Sequence, residues 1–231
     1  MNSPASRSFF AFLFSLFTAA LCAAPAPASA AAFSPLQIGI GWPSPEGFEL
    51  QLVSRETPVV GLRLNLLASW NDTVAGFDLG IGSISETFSG VRLVGVSLTD
   101  ETLNGISAGL LDMSQTVNGI QLAPIAFAGD VRGIQAGLVP FSHSGTVCGI
   151  QLGILPLAEE LRGVQLGVIN NLGSYGRVRG IQLGLLNFTP ELRGVQIGIL
   201  NFADNLHGLQ IGFLNYGTED GYPLPLLRAS F

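Results

Sequence analysis

Lysine is absent from this 231-residue chain, and all ten of its basic residues are arginines. Charged residues make up 11% of the sequence, where a soluble domain carries about 25%. Loss of residues 1–30 would leave nine arginines against sixteen acids, a net charge near −7. An acidic chain without basic clusters is a poor candidate for nucleic acid or for an anionic membrane surface as a partner. Histidine occurs only at His143 and His207, and cysteine only at Cys22 and Cys148. With Cys22 in the leader, Cys148 has no intramolecular partner, so packing and backbone hydrogen bonds must hold the fold. Tryptophan and tyrosine total five (Trp42, Trp70, Tyr175, Tyr216, Tyr222), too few for full membrane-interface girdles.

What is abundant is hydrophobic residues, at 48%, and glycine, at 30 residues. Residues 1–30 read as a secretory signal peptide. Arg7 gives the positive start, Phe9 to Cys22 the apolar stretch, and Ala28-Ser29-Ala30 a small-residue cleavage site. That stretch of about 14 residues is shorter than the ~20 a spanning helix needs.

The rest is dominated by one phrase, Gly-φ-Gln-φ-Gly-φ-φ-Asn, with φ an aliphatic residue. It is clearest at Gly163–Asn170, Gly180–Asn187, Gly194–Asn201 and Gly208–Asn215, and looser copies begin at Gly61, Gly76, Gly90, Gly105, Gly119, Gly133 and Gly149. The eleven first glycines are spaced by 15, 14, 15, 14, 14, 16, 14, 17, 14 and 14 residues. A fixed period means that no unit buries its apolar surface alone. The chain therefore divides into the leader 1–30, leading strands within 31–60, the repeat region 61–216 and a closing strand within 217–231.

Period-two alternation over Val178–Phe188 reads as a strand, with Ile181, Leu183 and Leu185 on one face and Gly180, Gln182, Gly184, Leu186 and Phe188 on the other. Polar blocks such as Thr189-Pro190-Glu191 read as turns. Two all-β architectures compete. A straight strand of nine residues spans roughly 30 Å, and the four or five residues left reach only about 17 Å. That distance favours an up-and-down antiparallel meander of about fourteen short strands closing into a barrel. The fourteen include leading strands at Leu36–Trp42 and Phe48–Ser54 and a last one near Leu226–Phe231. The alternative is a parallel β-solenoid with 14-residue coils, which requires each block to bend at its second glycine or its Asn.

The phrase Gly194-Val195-Gln196-Ile197-Gly198-Ile199-Leu200-Asn201, with the opening Leu36-Gln37-Ile38-Gly39 and the ending Pro223-Leu224-Pro225-Leu226-Leu227, resembles a bacterial surface-repeat family built from such units behind a signal peptide. The resemblance covers nearly all of the chain after the leader. It implies an exported or outer-surface β-protein without established chemistry, and its repeated-hairpin pattern is similar to the shallow barrel called β-flower. Units from Gly61 to Gly133 depart from the phrase, with Arg63, Asp78, Arg92 or Ser107 in place of Gln.

No catalytic, cofactor-binding or metal site emerges. His143 and Cys148 share a loop region, but two residues do not make a metal site. No nucleophile elbow is present, and the glycine-rich Gly80–Ser83 and Gly173–Gly176 precede no helix. Glu159-Glu160 and Glu219-Asp220 lie in turns. Arg132, Arg162, Arg179 and Arg193 each precede a first glycine, with His207 last, and Asp130, Glu160 and Glu191 stand two residues earlier; in a meander they alternate between two rims. Gln121, Gln135, Gln151, Gln165, Gln182, Gln196 and Gln210 offer either a hydrogen-bonded belt or a polar lumen lining. The expected function is an exported, non-enzymatic barrel at the outer membrane or cell surface with a structural, adhesive or passage role. The alternative is a soluble periplasmic or secreted barrel binding a lipid or other apolar ligand.

Overall fold

The computed structural model describes residues 33–41, 51–143, 145–218 and 221–230. The leader, Trp42, Phe48–Leu50 of the second leading strand, Glu219-Asp220 and Phe231 lie outside them. Eleven strands form one sheet: β1 (Ser34–Gly39), β2 (Val59–Trp70), β3 (Thr73–Ala108), β4 (Leu111–Leu122), β5 (Ile125–Ala136), β6 (Val139–Ser142), β7 (Thr146–Gly153), β8 (Leu157–Gly167), β9 (Ile169–Leu183), β10 (Leu186–Tyr216) and β11 (Leu224–Ser230).

The fold is a β-solenoid of about ten turns, and the expected antiparallel barrel is wrong. Strand pairs from β1 to β10 are parallel, and unit pairs with unit at matching positions: Gly119 with Gly133, Gly163 with Gly180, and Gly180 with Gly194. Among the named strands only β11 runs antiparallel, laid along Gly208–Asn215.

A straight nine-residue strand would leave no room for a solenoid, but the chain bends instead. The first glycine of every unit takes a positive backbone dihedral, +148° at Gly180 and +142° at Gly194. L-residues do not hold that conformation. A Cβ at Gly180 would also overlap the Gly163 carbonyl oxygen of the preceding coil. A second bend follows four to five residues later, as at Gly184-Leu185, and a third comes at register shifts such as that between Phe188 and Glu191. Each coil is thus three short segments, and the chain returns to its start without a long linker. The 16- and 17-residue spacings are absorbed outside the shared register.

The bends also set which residues point inward. Counting from the first glycine, the position two before it is buried in all eleven units: Val59, Val74, Phe88, Leu103, Val117, Val131, Val147, Leu161, Val178, Leu192 and Leu206. This file of aliphatic and aromatic side chains, with Ala128, Ala158 and Ala203, is the hydrophobic core. Each member of the file contributes about 1.5–3 kcal/mol by leaving water. The other inward positions are two, seven and nine after the glycine, where Gln196, Asn201 and Ala203 are buried in one coil.

Candidate functional site

The glutamines form the belt within the prism rather than a lining. All seven are fully buried. Gln135 Nε2 donates to Gln121 Oε1, and Gln151, Gln165, Gln182, Gln196 and Gln210 continue the chain in one direction, at 2.7–3.0 Å. Head-to-tail amides sum their dipoles, and a charge of the right sign stands at each end. Arg228 Nη1 donates to Gln210 Oε1 at the acceptor end, and Gln121 Nε2 donates to Asp112 Oδ1 (2.7 Å) at the donor end. A second file, Asn170, Asn187, Asn201 and Asn215, donates in the opposite direction, at 2.6–2.8 Å.

Toward the first coils the glutamine file becomes ionic. Asp78 accepts from Arg63 Nη2 (2.6 Å) and Arg92 Nε (2.9 Å), and all three side chains are fully buried. Ser83 also bonds to both Asp78 and Arg63. Burial pushes the Asp78 carboxyl up, but the charge and hydrogen bonds of Arg63, with Arg92 and Ser83, outweigh it and hold the group at about 2. Burial lowers Arg92 to about 10 against the pull of Asp78. The sequence signal was available: the departures at Arg63, Asp78 and Arg92 alternate in sign at one repeat position, as stacked neighbours of a buried file must.

The exterior is divided sharply. From Asp72 to Asp204, every charged side chain outside the interior lies one to five residues before the first glycine of the next unit. Parallel stacking puts these on one edge, not on the two rims expected of a meander. Arg132, Cys148, Arg162, Arg179 and Arg193 follow one another in register. Glu160 pairs with Arg162 (2.9 Å), and Glu191 with Arg193 (3.0 Å) and Arg177 (3.2 Å); such exposed pairs are worth about 0–1 kcal/mol each. Asp130 accepts instead from the Thr146 amide.

Opposite this edge the second bend forms an apolar ridge. Leu138, Ile154, Val168, Leu185, Ile199 and Phe213 stand there in six successive coils, 42–70% exposed. Ile181, Ile197 and Ile211 flank it on one side. On the other side Phe188 stacks on Phe202 with centroids 4.8 Å apart, and Tyr216 meets Phe202 at a tilt, 5.9 Å away. The alternation seen around Gln182 was therefore right locally, but the bend carries Leu185 and Leu186 both outward.

The residues weighed for chemistry do not converge. His143 stacks on Phe141 and lies 3.8 Å from Glu159, Cys148 is exposed in the arginine file, and His207 is exposed at its end. Among the described residues no three His, Cys, Asp or Glu side chains are placed to hold a metal. No protein-family model, curated protein or solved structure matches the chain.

Proposed function

We propose that this is an exported, non-enzymatic repeat protein held at a bacterial outer membrane or cell surface, with a structural or adhesive role. One observation carries the reading: outside the charged edge, the repeats leave a continuous apolar exterior. A monomer's largest apolar patch is ordinarily about 300–600 Å² and often functional; here the ridge and flanks recur coil after coil. The leader-like residues 1–30 and the resemblance of the units to a bacterial surface-repeat family support the same address. The proposal leaves out a passage role, since buried side chains occupy the interior.

A second reading, a periplasmic or secreted protein binding an apolar ligand, is favoured by one feature. Phe188, Pro190, Phe202, Tyr216, Asn171 and Asp204 line an open groove of about 390 Å³. Fractionation of expressing cells separates the two. Carbonate-resistant, detergent-soluble protein supports the surface assignment, and release by osmotic shock overturns it. Joint replacement of His143, Cys148 and His207 leaves the phenotype intact if the role is non-enzymatic.

A further inference from the structure

We propose that the apolar ridge is a lipid-binding edge: the prism lies along a phospholipid bilayer with the ridge among the acyl chains and the charged edge in water. The proposal rests on the same exterior as the surface assignment and names what covers it. Four features of the ridge select lipid over a second copy of the chain.

The first is shape. The apolar surface is convex, wrapping a bend, so a flat partner covers only one flank. About ten turns at ~4.8 Å, each flank ~10 Å wide, give roughly 500 Å² per flank, short of the ~800 Å² per partner of a stable interface. A fluid medium covers both flanks at once.

The second is the backbone. Bends normally leave polar groups bare, which hydrocarbon does not tolerate. Here each bend is paired to the previous one: the Val168 carbonyl accepts from the amides of both Leu185 and Leu186, and the Leu185 carbonyl accepts from those of Ile199 and Leu200. The same forked pairing runs through Ile154 and Leu138.

The third is depth. From the ridge to the residue after the first glycine is four positions, or ~10 Å along the flank after allowing for the bend, matching the 5–10 Å immersion of interfacial amphipathic elements.

The fourth is the boundary. One flank ends at the file of Arg132, Arg162, Arg179 and Arg193, a residue type that lays its stem on apolar surface and its head at the phosphate level; Glu160 and Glu191 share the heads of Arg162 and Arg193. The other ends at Phe188, Phe202 and Tyr216, the amphipathic ring of Tyr216 suiting the headgroup level.

The test uses the full chain and vesicles of zwitterionic phosphatidylcholine, with or without bromine on the acyl chains. Leu185→Trp places a fluorophore on the ridge and Asn205→Trp one on the charged edge; emission of the parent chain, from Trp42 and Trp70, is subtracted. The expected result is a blue shift and at least threefold stronger quenching by brominated lipid at position 185 than at 205. Phe213→Trp, a smaller change at an already aromatic ridge position, should repeat the result if Leu185→Trp disturbs the circular dichroism. Ridge probes left unquenched overturn the proposal, and a concentration-dependent dimer in sedimentation would then assign the ridge to a second copy. Equal quenching at 185 and 205 overturns it as well. The measurement needs no cell, so a protein found in the periplasm with quenched ridge probes rejects the surface address alone.

Discussion

Replacing Gln165 by Leu and by Glu tests the buried amide file in two different ways. Gln165 Nε2 donates to Gln151 Oε1 (2.8 Å) and to the Pro156 carbonyl (3.3 Å), and its Oε1 accepts from Gln182 Nε2 (2.8 Å). Leucine fills the space but strands the Gln151 acceptor and the Gln182 donor in a dry interior. At about 1–3 kcal/mol for each stranded group, and with some return from the apolar side chain, Gln165→Leu should cost about 2–5 kcal/mol at any pH. Glutamate still accepts from Gln182, but an ionised carboxylate faces the Gln151 oxygen and must be protonated to donate. Its folded pKa is therefore raised, so the variant is most stable below the unfolded value near 4.3 and loses stability as pH rises. At about 1.4 kcal/mol per unit, the penalty should grow by about 4 kcal/mol between pH 4.5 and 7.5 if the folded pKa exceeds 7.5. Urea denaturation of both variants at the two pH values reads this directly. A Gln165→Glu chain whose loss matches that of Gln165→Leu at both pH values would refute the directional amide chain.

Three further outcomes are expected. Asp78→Asn leaves Arg63 and Arg92 buried without the carboxylate they share and should cost about 3–5 kcal/mol; because the folded Asp78 pKa of about 2 lies below its ordinary 3.8, its contribution of about 2 kcal/mol is present above pH ~4 and lost as pH falls toward 2, a step that acid titration of urea midpoints should find in the parent and not in the variant. Deleting Gly194–His207 joins Arg193 to Gly208 and restacks Gln210 on Gln182, so circular dichroism should show a folded protein with a modestly lower urea midpoint; deleting only Gly194–Leu200 puts every later file out of register and should abolish cooperative unfolding. Gly180→Val meets both a +148° dihedral and the Gly163 carbonyl oxygen, and should cost more than about 3 kcal/mol. Gly173→Val, with nothing within 4 Å of its would-be Cβ, should stay within about 0.5 kcal/mol.

Read alone, the chain yielded the repeat, an all-β class and local alternation that puts Gln182 opposite Ile181 and Leu183. The core was equally legible: an aliphatic or aromatic residue stands two positions before the first glycine in all eleven units. So were the ion pairs, written as Arg63, Asp78 and Arg92 at one position of successive units. Periodicity constrains which residues are equivalent but not the path between equivalents. A fourteen-residue unit closes as a hairpin pair if its strand is straight and as a coil if it bends. That choice rested on backbone dihedrals at the glycines and on coil-to-coil hydrogen bonds between residues about fourteen apart, which exist only once neighbouring coils are stacked. Stacking then decided the rest: it gathered scattered arginines and acids onto one edge, turned the glutamines inward, and left the aliphatic bends facing out, because side-chain direction after a bend depends on the turn geometry and not on the count of residues.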